Sequence, residues 1–135
     1  MDTAAAMHQA GMVRSVFEAL AQAGVRHIFV APGSRSTPLV QAADELARRD
    51  PPAWQLWPVL DERAAAFAAL GATREGQPSA VICTSGSAVA HLLPACVEAA
   101  ESATAVVLVT ADRPVAVQGK GAPQTARQDG LLTPY

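Results

Sequence analysis

Four short apolar runs, each followed by a polar turn and then by a longer segment with helical spacing, constrain the fold of this chain most strongly. Strands that alternate with helices in this way form right-handed βαβ units around a parallel sheet. We therefore predict a single α/β domain over residues 1–135, with helices on both faces of a parallel sheet. The predicted strands are 26–31, 56–60, 79–83 and 105–110. The predicted helices are 6–24, 37–49, 64–73 and 88–100, with a further short helix from Thr125.

Glycine and proline positions refine these boundaries. Gly24 is placed to end the first helix. Ser36 or Thr37 can cap the second helix, whose first turn contains Pro38. Pro58 cannot donate a backbone hydrogen bond, so the second strand is expected at an edge of the sheet.

The composition narrows the class of protein. Half of the residues are hydrophobic and only 16% are charged, which argues against disorder. A formal net charge of -2 gives no electrostatic reason to expect a nucleic acid or an anionic membrane as partner. No apolar run approaches the roughly 18 residues that a membrane span needs. The N-terminus, MDTAAAMHQAGMV, lacks the basic and long apolar regions of a signal peptide, so a cytoplasmic protein is expected.

Polar turns follow all four predicted strands, at residues 32–37, 61–63, 84–87 and 111–114. The carboxyl ends of parallel strands meet at one edge of the sheet, and ligands of such sheets bind outside that edge. We therefore expect these four turns to form one functional surface. The two cysteines, Cys83 and Cys96, lack the spacing of a metal site and are interpreted as buried, unreactive thiols.

Two of the turns contain residues suited to chemistry, although each also has a purely structural interpretation. The Gly33-Ser-Arg-Ser36 turn can bind an anion through its N–H groups and Arg35, or it can be a capped turn. It lacks the glycine patterns of phosphate loops and dinucleotide folds. Glu62 can be a catalytic acid, or a favourable acid in a first helical turn with Asp61 as the N-cap.

Four stretches in this order resemble one known family: Ala31-Pro-Gly-Ser-Arg-Ser-Thr-Pro-Leu39, Asp61-Glu-Arg63, Thr84-Ser-Gly-Ser-Ala-Val-Ala90 and Thr110-Ala-Asp-Arg-Pro114. They are similar to the N-terminal, pyrimidine-binding region of the thiamine-diphosphate-dependent 2-succinyl-5-enolpyruvyl-6-hydroxy-3-cyclohexene-1-carboxylate synthases of menaquinone biosynthesis. Acetolactate synthases, a related alternative, carry a Pro-Gly-Gly-type first turn and a His-Glu acid. Ser34 and Arg35 therefore favour the menaquinone branch.

The resemblance implies a carboligating transferase. Such an enzyme decarboxylates 2-oxoglutarate and adds the resulting succinyl-semialdehyde carbanion to isochorismate. Glu62 would then bind and activate the aminopyrimidine of the cofactor, with Ser85, Gly86 and Ser87 close to it. The substrate-contacting residues implied by the family are Ser34, Arg35, Arg113 and Gln124.

The resemblance also implies what lies outside the chain. Family members hold the diphosphate and its Mg²⁺ or Mn²⁺ in a C-terminal domain of a partner subunit, through a Gly-Asp-Gly-type motif that this sequence lacks. We therefore expect the N-terminal fragment of a longer homo-oligomeric enzyme, inactive alone. Pro123 stands where the family commonly has Asn, which puts the loop around Gln124 in doubt. A non-enzymatic anion-binding domain is the remaining alternative.

Overall fold

The computed structural model describes residues 3–133 and 135, with side chains from Met7 onward. Within that part of the chain four parallel strands form one sheet in the order β2-β1-β3-β4, which confirms the predicted fold class. The strands are β1 (His27–Val30), β2 (Gln55–Pro58), β3 (Ser79–Cys83) and β4 (Val106–Thr110). The helices are α1 (Thr3–Gln22), α2 (Thr37–Ala47), α3 (Glu62–Arg74), α4 (Ser87–Ala90) and α5 (Leu93–Glu101), with 3-10 turns at Ser34–Ser36 and Val115–Val117.

Strand β3 occupies the centre of the sheet, and all five of its residues are buried. It pairs with β1 on one side, where Ile82 is opposite Val30, and with β4 on the other, where Cys83 is opposite Thr110. A strand buried on both faces reads as a continuous apolar run, which explains the SAVIC sequence.

Helices cover both faces of the sheet, as predicted. Alternate strand residues point to opposite faces. Phe29 and Val81 pack with α3, α4 and α5, whereas Ile28 and Ile82 pack with α1 and α2. Ala65, Ala66 and Ala69 form the buried face of α3 against the sheet. These small side chains let that helix approach the strands closely.

Local boundaries follow the glycine and proline signals. Gly24 takes a φ of +76°, the left-handed conformation that ends a helix. Pro58 ends β2 at an edge of the sheet, as expected. Helix α2 starts at Thr37 with Ser36 before it, but the Ser36 hydroxyl donates to Gly33 O (2.9 Å) instead of capping a helix N–H.

Two predicted helices differ from the structure. The helix predicted over 88–100 is divided into α4 and α5 by a turn at His91 and Leu92. Pro94 explains the division, because it has no N–H for the carbonyl of Ala90 and its ring would collide with that carbonyl. The short helix predicted from Thr125 is absent, since residues 125–128 have neither helix nor strand.

The helices described by the structure include none that is long and apolar enough to cross a membrane.

Candidate active site

The turns that follow the four strands begin at one edge of the sheet, which we call the rim. Backbone pairing continues one residue past the strand ends, so the starts of the turns are held together. This extra pairing is made by the N–H groups of Ala31, Val59 and Ala111, at 2.9, 2.9 and 3.1 Å from their carbonyl acceptors. The structure thus brings the predicted site turns to a common edge.

Helix α3 starts at the rim, and Asp61 caps it as predicted. Asp61 Oδ1 accepts hydrogen bonds from the backbone N–H groups of Arg63 (2.9 Å) and Ala64 (3.3 Å). The Arg63 guanidinium donates to both carboxylate oxygens of Asp61, from Nε at 3.0 Å and from Nη2 at 2.6 Å. These side-chain hydrogen bonds are the main reason that the pKa of Asp61 lies well below its usual range.

Glu62 is the first residue of α3, and its side chain is half-buried. Within residues 3–133 and 135 its carboxylate takes part in no hydrogen bond. Burial raises the pKa of the Cys83 thiol to about 12, and the negative charge of Glu62 adds to that increase. The Glu62 carboxylate therefore lies close to the end of the central strand, beside a thiol that stays neutral.

The turn after β1 packs directly against the turn after β3. A Cβ atom added at Gly33 would collide with the side chain of Thr84, so only glycine permits this approach. Thr84 is buried, and its Oγ1 finds no partner within the described residues. Ser34 is exposed, and its Oγ accepts a hydrogen bond from Nη1 of the half-buried Arg35 (3.0 Å).

The turn after β3 is joined to the loop near the C-terminus. Ser85 is buried, and its hydroxyl donates to Gln124 O (2.8 Å). Gly86 takes a φ of +80°, and a Cβ atom there would lie 2.8 Å from the carbonyl carbon of Gln124. Gln124 itself has a φ of +55°, which costs a residue with a side chain about 1–3 kcal/mol. Ser87, the third predicted residue of this turn, is exposed at the start of α4.

Gln128 is a site residue that the sequence did not single out. Its Oε1 accepts from the Gly86 N–H (2.8 Å), and its Nε2 donates to Ala111 O (3.0 Å). No local pattern marks it, because both partners are backbone groups from distant turns.

Arg113 lies against the same loop. Its Nη2 donates to Pro123 O, while its buried Nε has no partner in the part of the chain that the structure describes. Gln118 Nε2 steadies the turn by donating to Asp112 Oδ2 (3.2 Å) and Arg113 O (2.9 Å). The carbonyl of Pro123 thus anchors the loop, although its ring supplies no donor.

The comparison with protein families decides which kind of site this is. Residues 12–131 match the family described as the thiamine pyrophosphate enzyme, N-terminal TPP binding domain. The chain belongs to this family. The match covers all four rim turns, and it confirms the resemblance seen in the motifs of the sequence.

Curated relatives of this thiamine pyrophosphate enzyme domain share one name, 2-succinyl-5-enolpyruvyl-6-hydroxy-3-cyclohexene-1-carboxylate synthase. Those of Chloroflexus aurantiacus and Nocardioides sp. are each 50% identical over 121 residues, which are 89% and 90% of this chain. These matches cover 20% and 22% of the two relatives. A third, from Sorangium cellulosum, is 51% identical over 115 residues, or 84% of the chain and 18% of the relative. The chain thus spans about a fifth of the length of the curated relatives that it matches.

Among the described residues, no three His, Cys, Asp or Glu side chains come close enough together to hold a metal ion.

Replacing Gly86 by Ala tests the junction between the turn after β3 and the loop at Gln124. We expect Gly86→Ala to reduce the free energy of unfolding by about 2–4 kcal/mol, combining positive-φ strain with overpacking. Gly119→Ala is the matched control, since Gly119 has a φ of +71° but no atom within 4 Å of its Cβ position. It should cost only about 1–2 kcal/mol. Equal losses in urea unfolding would contradict the packing at Gly86.

Carbon-13 NMR titration of the Asp61 carboxyl tests the cap that places Glu62. The pKa should lie well below the ordinary value of about 3.9 in the unmodified chain. It should rise towards that value in Arg63→Gln, because the guanidinium hydrogen bonds are lost. The lowered pKa also means that the stability from this contact is complete above about pH 4 and declines as the pH falls further. An unchanged pKa in Arg63→Gln would show that Arg63 does not hold the cap.

Proposed function

We propose that the chain is the N-terminal, pyrimidine-binding domain of a thiamine-diphosphate-dependent synthase of the length of its relatives. The reaction joins isochorismate and 2-oxoglutarate, with loss of CO2, to give 2-succinyl-5-enolpyruvyl-6-hydroxy-3-cyclohexene-1-carboxylate. The family match and the relatives at 47–51% identity support this assignment. The observation that carries it is the half-buried Glu62 carboxylate, unpaired within the described chain, at the end of the central strand.

The rim residues fit the cofactor. Thiamine diphosphate, when bound, supplies the electron sink that decarboxylation of a 2-oxo acid requires. Glu62 would hydrogen-bond the N1′ nitrogen of the aminopyrimidine and hold or release a proton there. Partial burial beside the neutral Cys83 thiol limits the water that could compete for that contact. Ser85, Gly86 and Ser87 would form the polar wall of the ring site, and the unpartnered Thr84 Oγ1 adds a free polar atom beside it.

The substrate residues have a chemistry that suits two dicarboxylates. Arg guanidinium groups bind carboxylates through paired, charge-assisted hydrogen bonds. Arg35 is only half-buried and bonds within the described chain to the neighbouring Ser34 hydroxyl, so most of its donors remain available. Arg113 retains an unpartnered Nε. With Gln124, these residues would orient isochorismate and 2-oxoglutarate above the cofactor ring.

The proposal includes a second half of the site. A C-terminal domain of a partner subunit would bind the diphosphate and its Mg²⁺ or Mn²⁺, so the working enzyme would be a cytoplasmic homo-oligomer. The fifth of the relatives' length that the chain spans supports this division.

Glu62→Gln, introduced into a protein of the relatives' length that begins with this chain, tests the proposal. We expect CO2 release from 2-oxoglutarate in the presence of isochorismate to fall by about 10²–10⁴-fold, since an amide cannot exchange the proton. Glu75→Gln, at the other end of α3, is the matched control and should retain activity. Isothermal titration with thiamine diphosphate would show that the variants still bind the cofactor.

Three outcomes would contradict the proposal. Full activity of Glu62→Gln would remove the catalytic role of that residue. Release of CO2 from pyruvate but not from 2-oxoglutarate would indicate an acetolactate-type enzyme, and the lack of any turnover would leave an anion-binding domain. Turnover of both substrates by the 135-residue chain alone would show that no second half is needed.

A further inference from the structure

The loop over residues 121–128 has no helix or strand, yet it is fixed to the rim by long-range contacts. The Ser85 hydroxyl holds the carbonyl of Gln124, and Gly86 makes room for the backbone there. The Gln128 carboxamide makes two of the remaining contacts, one to the turn after β3 and one to the turn after β4.

Gln128 continues the pairing of β3 with β4. The last backbone hydrogen bond between these strand ends runs from the Ala111 N–H to Cys83 O (3.1 Å). Beyond it, the backbone groups of Gly86 and Ala111 are bridged by the Gln128 side chain, at 2.8 and 3.0 Å. Since a carboxamide carries a donor and an acceptor as a peptide group does, it replaces the missing peptide at this point. Neither Glu nor Met offers that pair of groups.

We propose that Gln128 is a positioning residue that sets the distance of the Gln124 loop from the turn over residues 84–87. The inference rests on the proposed function for its consequence in catalysis, but the contact itself belongs to the chain alone. Ser85 and Gly86 directly follow the buried central strand, whereas the loop has no regular structure of its own. The loop is therefore the part that moves when Gln128 is lost, and Gln124 is displaced from the substrate.

The bridge also redefines Gly86. Its N–H is occupied by Gln128 Oε1, so it is not free for a ligand. Gly86 serves the site by its lack of a side chain and by holding Gln128, rather than by donating to the cofactor.

The contact is tested in the 135-residue chain by amide hydrogen exchange, which requires no activity. The protection of the Gly86 amide should fall by about tenfold in Gln128→Met, the effect of losing a hydrogen bond of ordinary net strength. Gln128→Glu keeps the acceptor for Gly86 and loses the donor to Ala111, so its loss should be smaller. Gln77→Met, at an exposed turn, is the control and should leave the protection unchanged. Should the Met variant fail to fold, the Glu variant carries the test, and unchanged protection in it would overturn the bridge.

The catalytic consequence is measured in the protein of the relatives' length. Gln128→Met should raise the KM of a substrate by about tenfold and leave kcat and the Kd of thiamine diphosphate within about threefold, because the loop moves and the central strand does not. A fall in kcat with KM unchanged would contradict positioning. If the unmodified protein shows no synthase activity, the proposed function fails while the exchange result still decides the contact.

Discussion

Parallel pairing of β3 with both of its neighbours is the interaction on which the rest of the structure depends. The strand is buried over its whole length, and its backbone groups bond to β1 on one side and β4 on the other. Parallel strands in this register end at the same edge, so the turns that follow them must meet there. The start of α3, with Glu62, is thereby placed beside Cys83, the last residue of the central strand.

Burial at the strand ends and openness at the turns divide the work of the site. Gly33 against Thr84, and Gly86 against Gln124, are close approaches that bring backbone segments together where side chains would separate them. Ser85 contributes a hydroxyl to this packing rather than a free donor. The groups left for ligands are charged and lie further out, which is the arrangement expected of a cofactor ring site with carboxylate substrates above it.

Sequence periodicity predicts the sheet, its parallel direction and the cap at Asp61, because these depend on local patterns of apolar residues and turn residues. It fails at the helix predicted over 88–100, where Pro94 divides an apolar segment whose spacing alone looks continuous. The motifs locate Glu62, Arg113 and Gln124. They do not predict Gln128 or the tie from Ser85 to the carbonyl of Gln124, since these bonds join backbone groups that are distant in sequence.

The central claim is that Glu62 acts on the aminopyrimidine of thiamine diphosphate. It is tested most directly by the rate at which the thiazolium C2 proton of the bound cofactor exchanges with D2O, in a protein of the relatives' length. Glu62→Gln should slow that exchange by about 10²-fold or more at saturating cofactor, with Glu75→Gln at the unmodified rate. Exchange in Glu62→Gln at the unmodified rate would contradict the claim.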